Sequence, residues 1–484
     1  MTFHPDNTNR LPVYQQIARH FEQDILKGIL RPGDKLPAER KLAIQIGVNR
    51  TTVVHAYDLL RSCGIVTSVK GSGTCVAQEQ WGVRPLHLPN WQDYANGGTF
   101  LPTLPIVQRL AEAKQQKLGI NLSSSELTQE DYPILTLKKI TQCLPFNGSL
   151  GYPDPNGYEP LRTALHQFMD TQFKMNTDPS GILVTSGAQQ ALLLITQCLL
   201  NPGEAIAVES PSYFYSLPLF HSAGLRMYGV QMDDDGLIPG ELELLFSTRS
   251  IKMLFLNPTY QNPTGRTLTE RRRKEVLTIC EKWRVPIVED DAYRSLELSG
   301  ETQSPQPLFS LDASHERVIY IGSLSKTVAP GLRIGWIVAP EPVLKRLREA
   351  KYQMDHGSDI ITQQIAEHYL RSDLWEKQVE QLRHLLEQRR RAMVDVLSTH
   401  CGGILSFTVP KGGYHLWCRC TPNVSDTKLL EACIKQGVLI VPGTVYGAHP
   451  RFVRLSFACN QVENIAEGVL RFIKAIKQSS PADD

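Results

Sequence analysis

From about residue 103 onward, short apolar runs alternate with longer amphipathic segments of helical period, and this alternation constrains the fold more than any other feature. It predicts strands of a mostly parallel sheet joined by helices, the arrangement of an α/β domain. The runs that predict buried strands are 181–185, 205–208, 253–256, 286–288 and 318–321. Several of them end directly in polar or glycine-rich turns. Because ligands of open α/β sheets bind beyond the carboxyl ends of the strands, functional residues are expected in those turns.

One helix predicted between two of these strands shows the pattern in detail. Thr267 and Glu270 have the spacing of a capping box, which predicts its first turn. The basic run at 271–274 is interpreted as a solvated face of this helix and not as a nucleic-acid patch. The apolar stripe expected to face the core consists of Val276, Ile279, Cys280 and Trp283.

The composition indicates a globular chain with several domains. Its 484 residues exceed what one hydrophobic core supports, and 42% apolar with 21% charged residues is ordinary for globular proteins. The 10 cysteines are mostly isolated in apolar surroundings and form no C-x-x-C pair. They therefore predict buried thiols of a reducing cytosol and no metal site. A net charge of +2 neither favours nor excludes nucleic acid, so charge is compared by segment.

The N-terminus lacks the basic-then-apolar pattern of a signal peptide, and the longest apolar run, 191–200, is too short to span a bilayer. A cytoplasmic protein without a membrane partner is therefore expected. Three regions follow from the patterns. Residues 1–77 are rich in helical pattern, residues 78–102 form a linker without sustained periodicity, and residues 103–484 form the α/β domain.

The first region has the outline of a winged helix-turn-helix. Helices are predicted at 11–28, 39–46 and 50–63. Gly47 is expected to end the second helix and Asn49 to cap the third. The third helix opens with β-branched residues of poor helix propensity, but the spacing of its apolar residues favours a helix. Two short runs, 65–69 and 74–77, flank a glycine-rich turn and predict a β-hairpin wing.

The charge of this region favours DNA as its partner. Residues 1–77 carry ten lysine and arginine residues against six acidic ones, a net charge of +4. The predicted third helix opens with Arg50, Thr51 and Thr52. Recognition helices contact base edges from their N-terminal residues, arginine is the best reader of guanine, and threonine hydroxyls suit phosphates. The alternative is a small structural three-helix domain with incidental positive charge.

The stretches 32–40 and 50–60 and the wing at 71–74 resemble the GntR family of winged helix-turn-helix regulators, over about 70 residues. The resemblance implies that this region binds a double-stranded DNA operator. The residues it implies in DNA contacts are Arg40, Arg50, Thr51, Thr52 and Gly71.

In the α/β region, Lys326 lies just past a predicted strand and among small hydroxyl residues. A lysine amine at the ligand edge of a sheet can form a Schiff base with an aldehyde cofactor. Ser323, Ser325 and Arg333 lie close to it in sequence and can hold a phosphate, the arginine through its rigid fork. Alone, one such lysine is weak evidence, because most lysines are solvated surface charges.

Other strand ends supply further chemistry. An ionised Asp290 can pair with a protonated pyridine nitrogen, which keeps the ring electron-poor. Tyr293 and Asn262 can reach a hydroxyl group on that ring, and Tyr213 can stack on its face. Arg454 points opposite to its apolar neighbours and can clamp a carboxylate.

A phosphate site is expected where a predicted strand leads into a helix at Gly187, Ala188 and Gln189, because free N–H groups at a helix start bind anions. Each of these candidates has a structural alternative, such as a helix cap, a turn or an ion pair. These candidates follow one another along the sequence, each at the end of a predicted strand, and this order favours a single cofactor site. The sequence has neither a Walker loop nor a G-x-G-x-x-G turn, so nucleotide alternatives lack a phosphate cradle.

This ordered set resembles the class I and II aminotransferases, the fold type I pyridoxal-phosphate enzymes, over roughly residues 103–475. The resemblance implies a mostly parallel seven-stranded sheet, a small C-terminal α+β subdomain and pyridoxal 5′-phosphate as cofactor. It implies that Lys326 forms the Schiff base, that Asp290 pairs with the pyridine nitrogen and that Arg454 takes the substrate α-carboxylate. The ring is assigned to Asn262, Tyr293 and Tyr213, and the phosphate to Gly187, Ala188, Gln189, Ser323, Ser325 and Arg333.

Two further positions bear on this resemblance. Tyr152 matches the tyrosine that reaches the phosphate of the neighbouring subunit, which implies a homodimer, with a domain-swapped form among the possibilities. Ala188 stands where a hydroxyl residue is common, so the phosphate must rely on backbone N–H groups there.

Together the two halves resemble the MocR subfamily of GntR regulators, in which the aminotransferase-like domain senses the cofactor or an amine. The expected function is therefore a pyridoxal-phosphate-dependent transcriptional regulator with a small amine or amino-acid effector. The alternative is an active aminotransferase that moves amino groups between an amino acid and a 2-oxo acid, because every catalytic position is intact. A scaffold with a dead pocket is disfavoured, since Lys326 and Asp290 are both present.

Overall fold

The computed structural model describes residues 3–6, 11–27, 29–69, 73–77, 97–144, 151–298 and 304–479. The chain divides into two units, residues 1–98 and 99–484. Of the linker predicted at 78–102, residues 78–96 lie outside the described residues, so the linker boundaries stay a prediction.

The first unit consists of three helices followed by a two-stranded hairpin. The elements are α1 (Val13–Leu26), α2 (Glu39–Ile46), α3 (Arg50–Ser62), β1 (Val66–Val69) and β2 (Gly73–Val76). The two strands pair antiparallel, with Val66 opposite Val76. The core consists mainly of Ile17, Phe21, Ile25, Leu42, Val53, Ala56, Tyr57 and Leu60. The predicted helix-turn-helix and the strands of the wing are thus confirmed.

Local chemistry explains the turn between α2 and α3. Gly47 ends α2 in the left-handed conformation, with φ of 70°, which glycine adopts without strain. Asn49 caps α3 by accepting a hydrogen bond from the Thr51 N–H at 3.4 Å. The β-branched start of α3 stays helical because Val53 is fully buried, and tertiary packing outweighs weak propensity.

The second unit is built on two main sheets. Its strands are β3 (Ile120–Asn121), β4 (Ile182–Thr185), β5 (Ala205–Ser210), β6 (Arg226–Asp233), β7 (Gly236–Leu237), β8 (Ile251–Leu256), β9 (Ile287–Asp290), β10 (Val318–Ser323), β11 (Gly335–Val338), β12 (Leu405–Phe407), β13 (His415–Cys420), β14 (Val438–Leu439), β15 (Val441–Pro442) and β16 (Phe452–Ser456). The larger sheet has the order β4-β11-β10-β9-β8-β5-β6-β7. All five runs predicted as strands lie within it.

The larger sheet is mostly parallel, as predicted. β11 is antiparallel to both of its neighbours and β7 is antiparallel to β6, while the other pairs are parallel. The sheet has 8 strands where the resemblance implied seven. The additional strand is the two-residue β7, which follows β6 through a tight turn and extends the edge of the sheet.

Helices cover both faces of this sheet, which explains why its strands read as continuous apolar runs. Ala205 and Ala207 of β5 belong to one hydrophobic core, and Ile206 and Val208 between them belong to the other. The helices of the unit are α4 (Pro105–Gln115), α5 (Ile134–Cys143), α6 (Glu159–Phe173), α7 (Ala188–Leu199), α8 (Pro218–Ser222), α9 (Pro239–Thr248), α10 (Glu270–Trp283), α11 (Leu308–Leu311), α12 (Glu341–Asp355), α13 (Ile360–Arg371), α14 (Leu374–His400), α15 (Asp426–Lys435) and α16 (Val462–Ser479).

The C-terminal part has its own sheet and core, which confirms the small α+β subdomain. The four strands have the order β12-β13-β16-β15, and Leu416 of β13 lies opposite Leu455 of β16. Leu386 of α14, Leu430 of α15 and Phe472 of α16 belong to the core of this sheet. The short β14 pairs with β3, which ties the subdomain to the beginning of the unit.

The start of α10 differs from the prediction. Its N-cap is Thr269, whose hydroxyl accepts a hydrogen bond from the Arg272 N–H at 3.4 Å. The hydroxyl of Thr267 instead accepts from the Tyr260 N–H at 3.2 Å, so the predicted capping box is wrong. Trp283, which was expected in the buried stripe, is 37% exposed because it lies at the last turn of the helix.

The basic run on α10 is not a uniform solvated face. Arg271 and Lys274 are exposed, but Arg273 is fully buried. Its guanidinium pairs with the Glu289 carboxylate at 3.2 Å and donates to the backbone oxygen of Leu268 at 2.9 Å. Arg272 is buried as well and donates to the Leu237 backbone oxygen at 2.8 Å. The interpretation from sequence is therefore wrong for Arg272 and Arg273, because helical period places them on the side that packs against the sheet.

We expect Arg273→Met to lower the free energy of unfolding by about 3–5 kcal/mol, because it leaves the buried Glu289 carboxylate without its charge partner. Chemical denaturation measures this change. Arg271→Met on the same helix is the matched control, since the exposed Arg271–Glu275 pair is screened by solvent and its loss should hardly alter stability. Equal stability of the two variants would contradict the prediction.

Candidate functional site

A cavity of about 520 Å³ opens at the carboxyl ends of the central strands β8, β9 and β10. The residues predicted to bind a cofactor line it, apart from Gly187 and Tyr152. The cavity wall consists of Ser125, Glu126, Ala188, Gln189, Leu192, Tyr213, Leu217, Asn257, Asn262, Asp290, Ala292, Tyr293, Ser323, Ser325, Lys326, Pro330 and Arg333. The structure therefore brings together residues that lie far apart in the sequence.

Lys326 follows β10 and directs its amine into this cavity. The Nζ atom donates a hydrogen bond to the backbone oxygen of Ser125 at 2.9 Å and lies 5.8 Å from the centre of the Tyr293 ring. Surrounding protein lowers the pKa of the Lys326 amine to about 8, because burial penalises the ammonium form. At pH 7 roughly a tenth of the amine is then neutral, far more than for an ordinary lysine, and the neutral amine is the nucleophilic form.

Asp290 ends β9 and is buried, which raises its pKa to about 7, with the neighbouring Asp291 adding to the effect. One carboxylate oxygen accepts a hydrogen bond from the Tyr213 hydroxyl. The other, Oδ1, has no hydrogen-bond partner among the described residues. Because an unpartnered buried carboxylate is costly, this oxygen fits a positively charged N–H donor such as a protonated ring nitrogen.

Tyr213 lies on the cavity wall. Its hydroxyl bonds to Asp290, a contact that the sequence did not predict, and its N–H donates to the Asn262 backbone oxygen at 3.0 Å. Its ring packs on Phe214 with 4.4 Å between ring centres. Stacking on a cofactor ring stays a prediction.

Arg454 and Asn262 meet at the junction of the two sheets. Arg454 Nη1 donates to Asn262 Oδ1 at 2.9 Å, and Nη2 donates to the Ser123 backbone oxygen at 2.5 Å. Arg454 is buried, and its Nε has no hydrogen-bond partner among the described residues. The guanidinium thus lies directly behind the cavity wall, with Asn262 between it and the open space.

The part of the cavity near the start of α7 suits an anion. Gly187 precedes α7 with φ of 78°, and a side-chain carbon there would lie 2.5 Å from Arg333 Nη2, so only glycine fits. Arg333 donates to the Ser186 backbone oxygen at 2.7 Å, and the hydroxyls of Ser323 and Ser325 are 3.0 Å apart. An arginine, two hydroxyls and a helix N-terminus together form a phosphate-binding arrangement.

Tyr152 lies away from this cavity. It is 83% exposed, and its ring contacts His356 with 5.3 Å between ring centres. A role in a neighbouring subunit stays a prediction.

The residues predicted to contact DNA lie at the helix-turn-helix. Arg40, Arg50 and Thr51 are exposed, and Thr52 is half-buried. Arg50, with 66% of its side chain exposed, lies 3.3 Å from the Glu39 carboxylate. Gly71 in the wing lies outside the described residues, so its predicted contact is not located.

Comparison with known proteins finds a matching family for each of the two units. Residues 117–472 match the aminotransferase class I and II family, and residues 13–76 match the bacterial regulatory proteins of the gntR family. The chain belongs to the aminotransferase class I and II family, and its N-terminal unit carries a gntR-family domain. It is 36% identical over 475 residues to the uncharacterized HTH-type transcriptional regulator YdfD of Bacillus subtilis, covering 97% of each chain. It is 31% identical over 450 residues to the HTH-type transcriptional regulator NorG of Staphylococcus aureus, covering 92% of this chain and 100% of that protein.

The GntR-type regulator also resembles solved aminotransferases. The multiple substrate aminotransferase of Thermococcus profundus has a TM-score of 0.75 and 29% identity, covering 81% of this chain and 99% of that chain. The α-aminoadipate aminotransferase LysN of Thermus thermophilus has a TM-score of 0.73 and 28% identity, covering 80% and 98%. LysN was solved with N-(5'-phosphopyridoxyl)-L-leucine. The predicted union of a GntR domain and an aminotransferase-like fold is confirmed.

Several residues on or beside the cavity wall were not predicted from the sequence. Asn257 directly follows β8, and its side chain bonds to the Asp290 backbone oxygen at 2.6 Å and accepts from the Asn262 N–H at 2.8 Å. Its position at a strand end was a usable signal. Ser125 and His415, whose Oγ and Nε2 are 2.9 Å apart, had no such signal, because Ser125 lies in a segment without regular structure.

The described part of the chain lacks both a cluster of metal ligands and a membrane-spanning helix. Within it, no cluster of three or more histidine, cysteine or acidic side chains has the arrangement of a metal site. No described helix combines the length and apolar character needed to cross a bilayer.

We expect Lys326 in the cofactor-free regulator to react with trinitrobenzene sulfonate along a pH profile centred near 8, the value to which burial lowers its pKa. Peptide mapping of labelled protein measures the profile for this residue. Lys326→Arg should lose the labelled peptide and keep the remaining ones. A midpoint near 10.5, the ordinary value for lysine, would contradict the prediction.

Proposed function

We propose that this chain is a DNA-binding transcriptional regulator whose aminotransferase-like unit binds pyridoxal 5′-phosphate and responds to a small amine or amino acid. The proposal is carried by two features that occur in one chain. The third helix begins with the exposed Arg50, and the cavity of the second unit is lined by Lys326 and by Asp290, whose Oδ1 has no hydrogen-bond partner among the described residues. A DNA-binding regulator acts where the chromosome lies, which favours the cytoplasm.

The cavity residues fit this cofactor. The free Asp290 Oδ1 suits the ring nitrogen, and Lys326 supplies an amine that is partly neutral near pH 7. When bound, the cofactor supplies an aldehyde that condenses with amines and a ring that withdraws electrons. Its phosphate would be held by Ser323, Ser325, Arg333 and the N-terminus of α7, including the backbone of Gly187, Ala188 and Gln189.

The remaining side chains orient the ring and the effector. The phenol of Tyr293 is buried, which raises its pKa, so it stays protonated and can donate to a ring oxygen. Asn262, in the loop that follows β8, can share that role. Arg454, one hydrogen bond behind Asn262, is the cation available for an effector carboxylate. An effector changes DNA binding only if it prefers one arrangement of the protein over another.

An active aminotransferase is the second candidate function. Lys326, Asp290 and Tyr293 all line the cavity, and solved proteins similar to this chain are aminotransferases. A transamination assay with amino-acid and 2-oxo-acid pairs, run on the same preparation as DNA-binding titrations, distinguishes the two functions. Assembly as a homodimer, with Tyr152 reaching the other subunit, is part of both proposals.

We expect Lys326→Ala to lose both the visible absorption of the bound cofactor and any effect of amines on DNA affinity, because the attaching amine is gone. Absorption spectra and DNA titrations with and without pyridoxal phosphate measure these changes. Lys345→Ala, at an exposed lysine of α12, is the control and should behave as wild type. A Lys326→Ala protein that still responds to the effector would show that sensing bypasses this lysine.

We expect Arg50→Ala to weaken binding to the DNA upstream of the regulator's own gene by about 1–3 kcal/mol, the worth of an arginine that reads guanine. Fluorescence anisotropy at fixed salt measures the affinity. Arg19→Ala, at an exposed arginine of α1 outside the recognition helix, is the matched control. Unchanged affinity of Arg50→Ala at matched salt would remove Arg50 from the base contacts.

A further inference from the structure

Glu126 lies on the wall of the Lys326 cavity, and the proposed cofactor contacts do not include it. It follows Ser125, whose backbone oxygen accepts the hydrogen bond from the Lys326 amine at 2.9 Å. Ser125 Oγ is in turn 2.9 Å from His415 Nε2, which holds this segment beside the amine. Glu126 therefore lies in the segment whose backbone contacts the Lys326 amine.

Two carboxylates line the cavity, and they differ in their surroundings. Asp290 is buried at the end of β9, whereas Glu126 is exposed and so lies toward the mouth. Within the described residues, Glu126 forms no hydrogen bond or ion pair of its side chain. Among the charged groups that act on the pKa of the Lys326 amine, the Glu126 carboxylate has the largest effect and raises it. For the half-buried Lys114, the charge of Arg454 affects the pKa more than that of Glu126 does.

We propose that Glu126 makes this regulator prefer effectors with a second cationic group, namely diamino acids, over neutral amino acids of the same length. The inference rests on the proposed function, since it concerns the same cavity. An effector whose α-amine reaches Lys326 and whose carboxylate approaches Arg454 places its side chain along the remaining wall, where Glu126 lies. A side-chain ammonium there can form an ion pair with the Glu126 carboxylate, and a methyl group cannot.

The test compares L-lysine with L-norleucine, which differ by the side-chain ammonium alone, in calorimetric titrations of the full-length, cofactor-loaded regulator. Wild type should bind lysine about fivefold more tightly, the size of an exposed ion pair, and added salt should reduce the preference. Glu126→Gln should bind the two amino acids equally. Glu130→Gln, at an exposed carboxylate of the same segment that is not on the cavity wall, should keep the wild-type preference.

The other outcomes separate this inference from the proposed function. Equal binding by wild type, or a lysine preference that survives in Glu126→Gln, overturns the role of Glu126 and leaves an amino-acid effector in place. Binding of neither amino acid, together with no change in DNA affinity across amines and amino acids, overturns the proposed effector response and the role of Glu126 with it.

Discussion

The burial of three consecutive carboxylates at the end of β9 is the constraint around which the second unit is organised. Glu289 pairs with the buried Arg273, and Asp291 pairs with Arg294. Asp290 lies between them and has no arginine partner among the described side chains, only the hydroxyl of Tyr213. Because a buried charge without compensation is costly, the fold gives each of the outer two carboxylates an arginine partner, while the middle one has none.

The cavity and the groups directly behind its wall come from both sheets of the unit. The larger sheet supplies Asp290 and Lys326 at neighbouring strand ends, since β9 and β10 pair in parallel with Asp290 opposite Ile321. From the smaller sheet, Arg454 of β16 contacts Asn262 and His415 of β13 contacts Ser125, so both support wall residues from behind. A shift between the sheets would therefore alter the contact between Arg454 and Asn262. Under the proposed function, this contact is where a bound amino acid would favour one arrangement of the protein.

A considerable part of this site could be predicted from sequence, because its residues follow apolar runs that end in polar turns. Lys326, Asp290, Asn262 and Tyr293 were placed on the cavity correctly by that reasoning, while their chemical roles stay proposals. Arg273 was misjudged, since a basic run on an amphipathic helix reads as solvated unless its buried partner is known. The capping of α10 was shifted by two residues because Thr267 and Thr269 offer equivalent local chemistry.

By itself, the sequence determined the class of each unit and the residues at the strand ends, because helical and strand periods and turn residues act over a few neighbouring positions. Only the tertiary structure decided which distant groups meet. Ser125 and Lys326, whose positions differ by 201, come within hydrogen-bond distance because the packing of two sheets brings them together. Tyr213 and Asp290 meet because β5 and β9 lie on either side of β8 in the larger sheet. Such pairings depend on how whole elements bury their apolar faces, and no local pattern records that geometry.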